Sequence, residues 1–150
     1  MGYTQQTDPE TTSKAIGKEV RVSPKHCREV CKMLKGMKVE QARKYLRGVA
    51  DLKTPVPYSR FKKYLSPKEK VGPARYPKKA AEAILEVVES ARSNAEYKGL
   101  DADNMKIVCA TANRGRIVPA YMPRAYGRST PWNEQTTNIE IILEEVERSS

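Results

Sequence analysis

The sequence predicts an α+β fold: three helices packed on a small antiparallel sheet, two of whose strands extend into a long β-hairpin arm. Three observations carry this expectation. Alternating strand patterns lie on either side of a block of helical periods. The segment 111–133, between the last two strands, holds four arginines and no acidic residue. The chain of 150 residues has 28 Lys+Arg against 18 Asp+Glu, a net charge of +10, which favours a polyanionic partner, most commonly nucleic acid.

The length suits one domain, placed at 18–150, behind a tail at 1–17. That tail is rich in Thr and Gln, has no hydrophobic period and reads as flexible or surface-draped. Its polar start lacks a secretory apolar region, and no apolar run is long enough for a membrane span. Three cysteines are too few for a disulfide framework, which points to a reducing cytoplasm. A membrane partner is therefore not expected.

Lys18 to Val22 alternates polar and apolar residues, a short strand. Ser23-Pro24 then opens a helix, with a hydroxyl able to cap free amides and a proline at the first helical position. Cys27, Val30, Cys31 and Leu34 give that helix one apolar stripe, and Gly36 ends it. A second helix is expected from Val39 to Ala50, with Val39, Ala42, Leu46 and Val49 facing inward. From Lys53 to Lys79 five prolines stop the periodicity, and nine lysines and arginines face Glu69 alone. Tyr58, Phe61, Tyr64 and Tyr76 are interleaved with them. Pro77 starts the longest helix, running to about Lys98 and ended by Gly99. Its inner face is Ala80, Ala81, Ile84, Val88, Ala91 and Ala95, small residues that imply close packing. Asp101 and Asp103 mark a turn. Met105, Ile107 and Cys109 alternate as a strand, and so do Thr137, Ile139, Ile141 and Leu143.

The segment 111–133 cannot make a core of its own, because its few apolar residues are scattered among prolines, glycines and arginines. Joining two paired strands, it is expected to project as an arm on the order of 50 Å long. The body's radius of gyration is only about 13 to 15 Å. Arg114, Arg116, Arg124 and Arg128 are candidate phosphate clamps, and Tyr121, Tyr126 and Trp132 offer flat faces for bases or riboses. Lys62, Lys63, Lys78 and Lys79 are candidate RNA anchors on the body, and Pro123 and Gly127 are expected to shape the bend near the tip.

Several stretches are distinctive: VRVSPK (20–25), KGMKVEQARKYLR (35–47), SARSNAEYKGL (90–100), and above all MPRAYGRST (122–130) followed by TTNIEIIL (136–143). In these the chain resembles the universal large-subunit ribosomal protein L-twenty-two family in its archaeal form, from Lys18 to Glu147. The tail before Lys18, the insertion 53–76 and the acidic end depart from the bacterial pattern, so bacterial RNA contacts are not carried onto the insertion. The resemblance implies a non-catalytic, cytoplasmic constituent of the large subunit that binds several rRNA domains, contacts neighbouring large-subunit proteins and supports assembly. It also implies a body near the nascent-peptide tunnel exit, with room for exit-site factors, and an arm whose tip lines the tunnel beside the nascent peptide. The tip is then expected around Val118–Arg128, with Val118, Pro119, Ala120, Tyr121, Met122, Pro123 and Arg124 as tunnel-lining residues. Met122 and Arg124 are the candidates to face the lumen.

Other readings are weaker or bland. A free-standing RNA-binding or RNA-chaperone module would share the charge but would not need an arm longer than its body. A protein-interaction scaffold could use Glu144, Glu145 and Glu147. Lys32, Lys35, Lys38 and Lys44 read as solvated helix surface, and Tyr45 and Tyr97 as core or next to it. His26, Cys27 and Cys31 lack a fourth ligand, so buried thiols are expected and no metal or other cofactor. Glu82, Glu86 and Glu89 form an exposed helical row, and Asp101 and Asp103 are too sparse for a calcium loop. No nucleophile, phosphate-loop or metal-ligand pattern supports an enzyme.

Overall fold

A computed structural model describes residues 2–60, 62–68 and 70–146. Along the chain lie β1 (Thr12–Val20), α1 (Pro24–Leu34), α2 (Val39–Ala50), β2 (Val56–Pro57), β3 (Pro67–Lys68) and β4 (Gly72–Arg75). α3 (Lys78–Tyr97), β5 (Met105–Val118), β6 (Tyr121–Pro123), β7 (Ser129–Pro131) and β8 (Glu134–Glu145) follow. The main sheet is antiparallel in the order β1–β8–β5, with Ile141 of β8 opposite Ala15 on one side and Ala110 on the other. The architecture is the expected α+β one.

β8 is buried on both faces from Thr136 to Leu143. Ile139, Ile141 and Leu143 join the helices in one core, with Ile84, Val88, Leu34 and Leu46 also fully buried. On the opposite face Glu140, 2% exposed, accepts hydrogen bonds from Thr4 N and Thr4 Oγ1, each 2.7 Å, and from Thr111 Oγ1 at 3.3 Å. A buried carboxylate is costly unless hydrogen-bonded, and these donors come from the segment before β1 and from β5.

Both interhelical stripes fall where the period puts them. Cys27, Val30, Cys31 and Leu34 are buried on α1, and Val39, Ala42, Leu46 and Val49 on α2. Gly36, at φ +85°, ends α1, and its N donates to Ile107 O at 2.8 Å while Ile107 N donates to Met37 O at 2.9 Å. The α1–α2 turn is thereby pinned to the outer edge of β5. The alanines of α3 let β1 lie close: Ser13 Oγ donates to Ala91 O at 2.6 Å. A Cβ built on Gly17 would stand 2.8 Å from Val87 Cγ2, so this crossing requires glycine.

Several expectations need correction. The strand assigned to Lys18–Val22 is β1, starting at Thr12, so residues 12–17 of the supposed tail are part of the sheet, with Thr12, Ser13 and Ala15 buried. Ser23 precedes α1 but its side chain makes no cap hydrogen bond. The stretch 53–79 is not wholly irregular, because β2, β4 and β3 form a small antiparallel sheet. Tyr58 from that stretch is buried, whereas Tyr97, expected near the core, is 95% exposed. Tyr45 does pack against the core. Cys27, Cys31 and Cys109 are buried free thiols. The readings of Phe61, Glu69 and Glu147 fall on residues outside the described ones.

Replacing Gly17 by Val should lower the stability of the free chain by about 1–3 kcal/mol, the usual cost of overpacking. Thermal denaturation monitored by far-ultraviolet circular dichroism checks this, and an unchanged midpoint would mean that β1 does not pack tightly on α3.

Candidate nucleic-acid interface

The β5–β8 ladder continues past the core and becomes the arm. It passes through the pairs Asn113–Asn138 and Arg114–Thr137, is offset by a bulge between Arg114 and Ile117, and resumes at Ile117–Gln135 and Val118–Glu134. Gly115 lies in that bulge. A Cβ there would meet Thr136 Oγ1 at 2.5 Å and the Thr136 backbone at 3.3 Å, while Thr136 Oγ1 donates to Arg116 O at 2.6 Å. The root of the arm is therefore a fitted contact that only glycine allows.

Beyond Val118 the strand is interrupted at Pro119 and Ala120, where Trp132 N donates to Ala120 O at 2.6 Å. β6 and β7 then pair from Tyr121–Pro131 to Pro123–Ser129. The apex is Arg124–Arg128, closed by Arg124 N donating to Arg128 O at 2.8 Å, with Tyr126 and Gly127 both left-handed at φ 58° and 66°. Gly127 thus shapes the turn as expected, and Pro123 is the last strand residue before it. From its root at Arg114 the arm reaches roughly 40 Å at about 3.3 Å per residue. This is shorter than the expected length because the ladder stays with the body until Asn113. Within the expected tip Val118–Arg128, residues 118–123 form the outgoing side of the distal arm and Arg124–Arg128 the apex.

No residue from Asn113 to Gln135 is buried. Ile117, Tyr121, Trp132 and Tyr126 are 53%, 71%, 58% and 98% exposed, an amount of apolar surface that calls for a covering partner. Arg114, Arg116, Arg124 and Arg128 are all exposed along the same arm. Arg124 Nε donates to Thr130 Oγ1 at 3.1 Å, which steadies one guanidinium beside the apex. The arm's one acid, Glu134, lies at its root, 4.0 Å from Arg21.

The body lysines fall into two groups. Lys78 and Lys79 start α3 and border a cleft of about 630 Å³ together with Arg21, His26, Asn133 and Gln135. The structure therefore brings this pair to the root of the arm. Lys62 and Lys63 sit apart from that cleft, exposed in the segment between β2 and β3, with Lys63 Nζ 5.6 Å from the centre of the 90% exposed Tyr64 ring. Arg21 and His26 were missed as site residues. Arg21 was legible as the outward residue of an alternating pair, whereas His26 gave no signal beyond its type. The His26 ring meets the Tyr58 hydroxyl edge-on. Burial, with Arg75 and Lys25 nearby, lowers its pKa from 6.5, and burial pushes the Tyr58 hydroxyl up to about 12. Among the described residues no group of His, Cys, Asp and Glu could hold a metal ion.

Two predictions arise from this geometry. Gly115→Val should unseat the arm root while leaving the helices intact, read as faster amide hydrogen exchange at Arg116–Val118 with unchanged helical ellipticity. Unchanged exchange would show that the root tolerates a side chain. Because the folded pKa of His26 lies below its unfolded value, its contribution to stability is present above pH 6.5 and declines as pH falls through the interval down to the folded pKa. His26→Asn should flatten the acid side of the stability–pH curve over that interval, as followed by urea denaturation.

The family model described as ribosomal protein L22p/L17e matches residues 15–144. Curated relatives carrying the name "Large ribosomal subunit protein uL22" span nearly the same length. That of Methanocella arvoryzae is 42% identical over 149 residues, covering 97% of both chains. That of Methanopyrus kandleri is 44% identical over 145 residues, covering 94% of this chain and 91% of its own. That of Archaeoglobus fulgidus is 43% identical over 148 residues, covering 96% of both.

Proposed function

We propose, from the premise that this chain belongs to the ribosomal protein L22p/L17e family, that it is a non-catalytic structural constituent of the cytoplasmic large ribosomal subunit. In this reading it binds large-subunit rRNA, supports assembly, contacts neighbouring large-subunit proteins, and lines the nascent-peptide tunnel with its hairpin tip. The body lies near the tunnel exit, where exit-site factors dock.

The observation that supports it best is the arm. A hairpin with no buried residue from Asn113 to Gln135 cannot be held by its own packing, and an isolated hairpin is marginal in water. Its exposed side chains are guanidinium forks and aromatic faces, which suit phosphate oxygens and unstacked bases. Arg114 and Arg116 clamp phosphates along the shaft, and Arg124 and Arg128 do so at the apex, with Tyr126 and Trp132 as stacking faces. Lys62, Lys63, Lys78 and Lys79 hold the body to rRNA. The tunnel-facing tip is the apex together with the outgoing side from Val118 to Pro123. A free-standing RNA-binding or RNA-chaperone module accounts for the charge but not for an arm of this length.

Replacing Arg114, Arg116, Arg124 and Arg128 together by Ala should leave the body folded and reduce occupancy in purified large subunits by tenfold or more. Gradient sedimentation with quantitative mass spectrometry, before and after a high-salt wash, reads this out. Full, wash-resistant occupancy of the variant would sink the role given to the arm, and absence of the wild-type chain from the subunit fractions would leave the free-standing module as the better reading.

A further inference from the structure

We infer that the N-terminal segment 2–11 is a strap closed over the outer face of the central sheet, that Glu140 is its latch, and that Glu140 is thereby a positioning residue for the arm. The latch stands on the geometry of the free chain; only the use made of a directed arm rests on the rRNA-binding reading.

The helices cover one face of the sheet, where Ile139, Ile141 and Leu143 join the core. The alternate residues of β8 point the other way, yet Glu140 is 2% and Ile142 0% exposed. The strap runs back over this second face from the start of β1. Lys98 Nζ of α3 fastens its near end, donating to Pro9 O at 2.8 Å and to Thr12 O at 2.9 Å. Thr12 Oγ1 donates to Asp8 O and Lys14 Nζ to Thr7 O at 3.4 Å, which folds the segment back along β1. At the far end Thr4 N and Thr4 Oγ1 donate to the two carboxylate oxygens of Glu140, each at 2.7 Å.

Residues 2–11 are all exposed apart from the half-buried Thr7, so apolar burial does not hold the strap and its polar contacts must. Glu140 takes part in none of the salt bridges among the described residues. A buried carboxylate without a cation depends on its donors, and hydrogen bonds to an ionised acceptor are the strong ones. Two of those donors are on Thr4. Opening the strap leaves Glu140 with Thr111 Oγ1, at 3.3 Å, from the rest of the protein.

Through Thr111 the same carboxylate reaches the arm. Thr111 is the partner of Glu140 across the β5–β8 ladder, and Asn113–Asn138 and Arg114–Thr137 are the pairs that lead from it to the root. On the same face Asn138 Oδ1 accepts from Glu19 N of β1 at 2.8 Å. Strap, β1, β8 and β5 are thus tied across the sheet just before the arm leaves the body. A tie at this level resists shear between β5 and β8, the motion that would swing the arm.

The test uses the isotope-labelled full chain, with amide hydrogen exchange and residual dipolar couplings measured by NMR. Thr4→Pro removes both donors, Thr4→Ser keeps both, and Glu140→Gln alters the acceptor; amides of α1 and α2 report whether the body stays folded. In the wild type the Thr4 amide is expected to exchange roughly tenfold or more slowly than an open-chain amide. Thr4→Pro and Glu140→Gln should both speed exchange at Thr111–Arg114 and reduce the couplings of the arm amides relative to those of the body. Thr4→Ser should retain the wild-type values, and the helix amides should not change. An unprotected Thr4 amide in the wild type would overturn the latch. Wild-type arm couplings in Thr4→Pro would overturn the positioning role, and an effect of Glu140→Gln alone would assign that role to its bond with Thr111 and not to the strap. None of these results depends on rRNA, so the subunit-occupancy measurement can fail or succeed independently of them.

Discussion

The β5–β8 ladder is the interaction on which the remaining structure depends. It begins inside the core, where Ile139, Ile141 and Leu143 are fully buried, and ends in a part of the molecule where nothing is buried. Between these regions the pairing continues from Met105–Glu145 to Val118–Glu134, interrupted by two register shifts. The second shift, at Gly115 against Thr136, is where the ladder leaves the helices. A hairpin rooted in a strand that is buried on both faces cannot swing freely at its base without disturbing the core. The same ladder explains why the starts of α1 and α3 meet the arm root in one cleft, since both helices pack on the strands that form the root.

The pairing of charges distinguishes the faces of the molecule better than their number. Lysines and arginines are spread over every helix, yet the arginines of α2 and α3 (Arg43, Arg47 and Arg92) are matched by Glu40, Glu89, Glu96 and Asp103. Such exposed pairs contribute little stability, about 0–1 kcal/mol each. Their larger effect is on the long-range field, because a matched guanidinium adds little to the attraction felt by a polyanion. Arg28, Lys32 and Lys35 of α1 and Arg114, Arg116, Arg124 and Arg128 of the arm take part in none of the salt bridges among the described residues.

Where elements could be read from the sequence, a bulky period marked them. The stripes of α1 and α2 and the alanine face of α3 fall on buried positions because a helix must put residues three and four apart on one face. β1 was read too short because what it buries is small: Thr12, Ser13, which bonds Ala91 O, and Ala15, while Gly17 passes under Val87, leaving no large alternating side chains to notice. Tyr97 was misplaced because it stands two residues past the fully buried Ala95, about 200° round the helix and therefore on the face away from the core. β2 and β3 are two-residue strands carrying prolines, too short for any period to register. In the candidate interface the arm stood out through its lack of acids and its arginines.

In the proposed rRNA-binding role, the body lysines and the arm act from one rigid frame, and two weak surfaces joined in this way act differently from either alone. An arm without a core pays the ordering entropy of its exposed residues when it binds, and its left-handed apex at Tyr126 adds about 1–2 kcal/mol of local strain. Contacts along the body cost less to order, because α3, which carries Lys78 and Lys79, is already fixed by Ala80, Ala81, Ile84 and Val88 packing beneath it. Once the body is held, closing the arm onto the same RNA becomes an intramolecular step, whose effective concentration is set by the stiffness of the β5–β8 ladder. A flexible hinge in place of the Gly115–Thr136 contact would spread the arm over many directions and lower that concentration. In the proposed role, the close fit at the root is thus as much a part of RNA binding as the arginines beyond it.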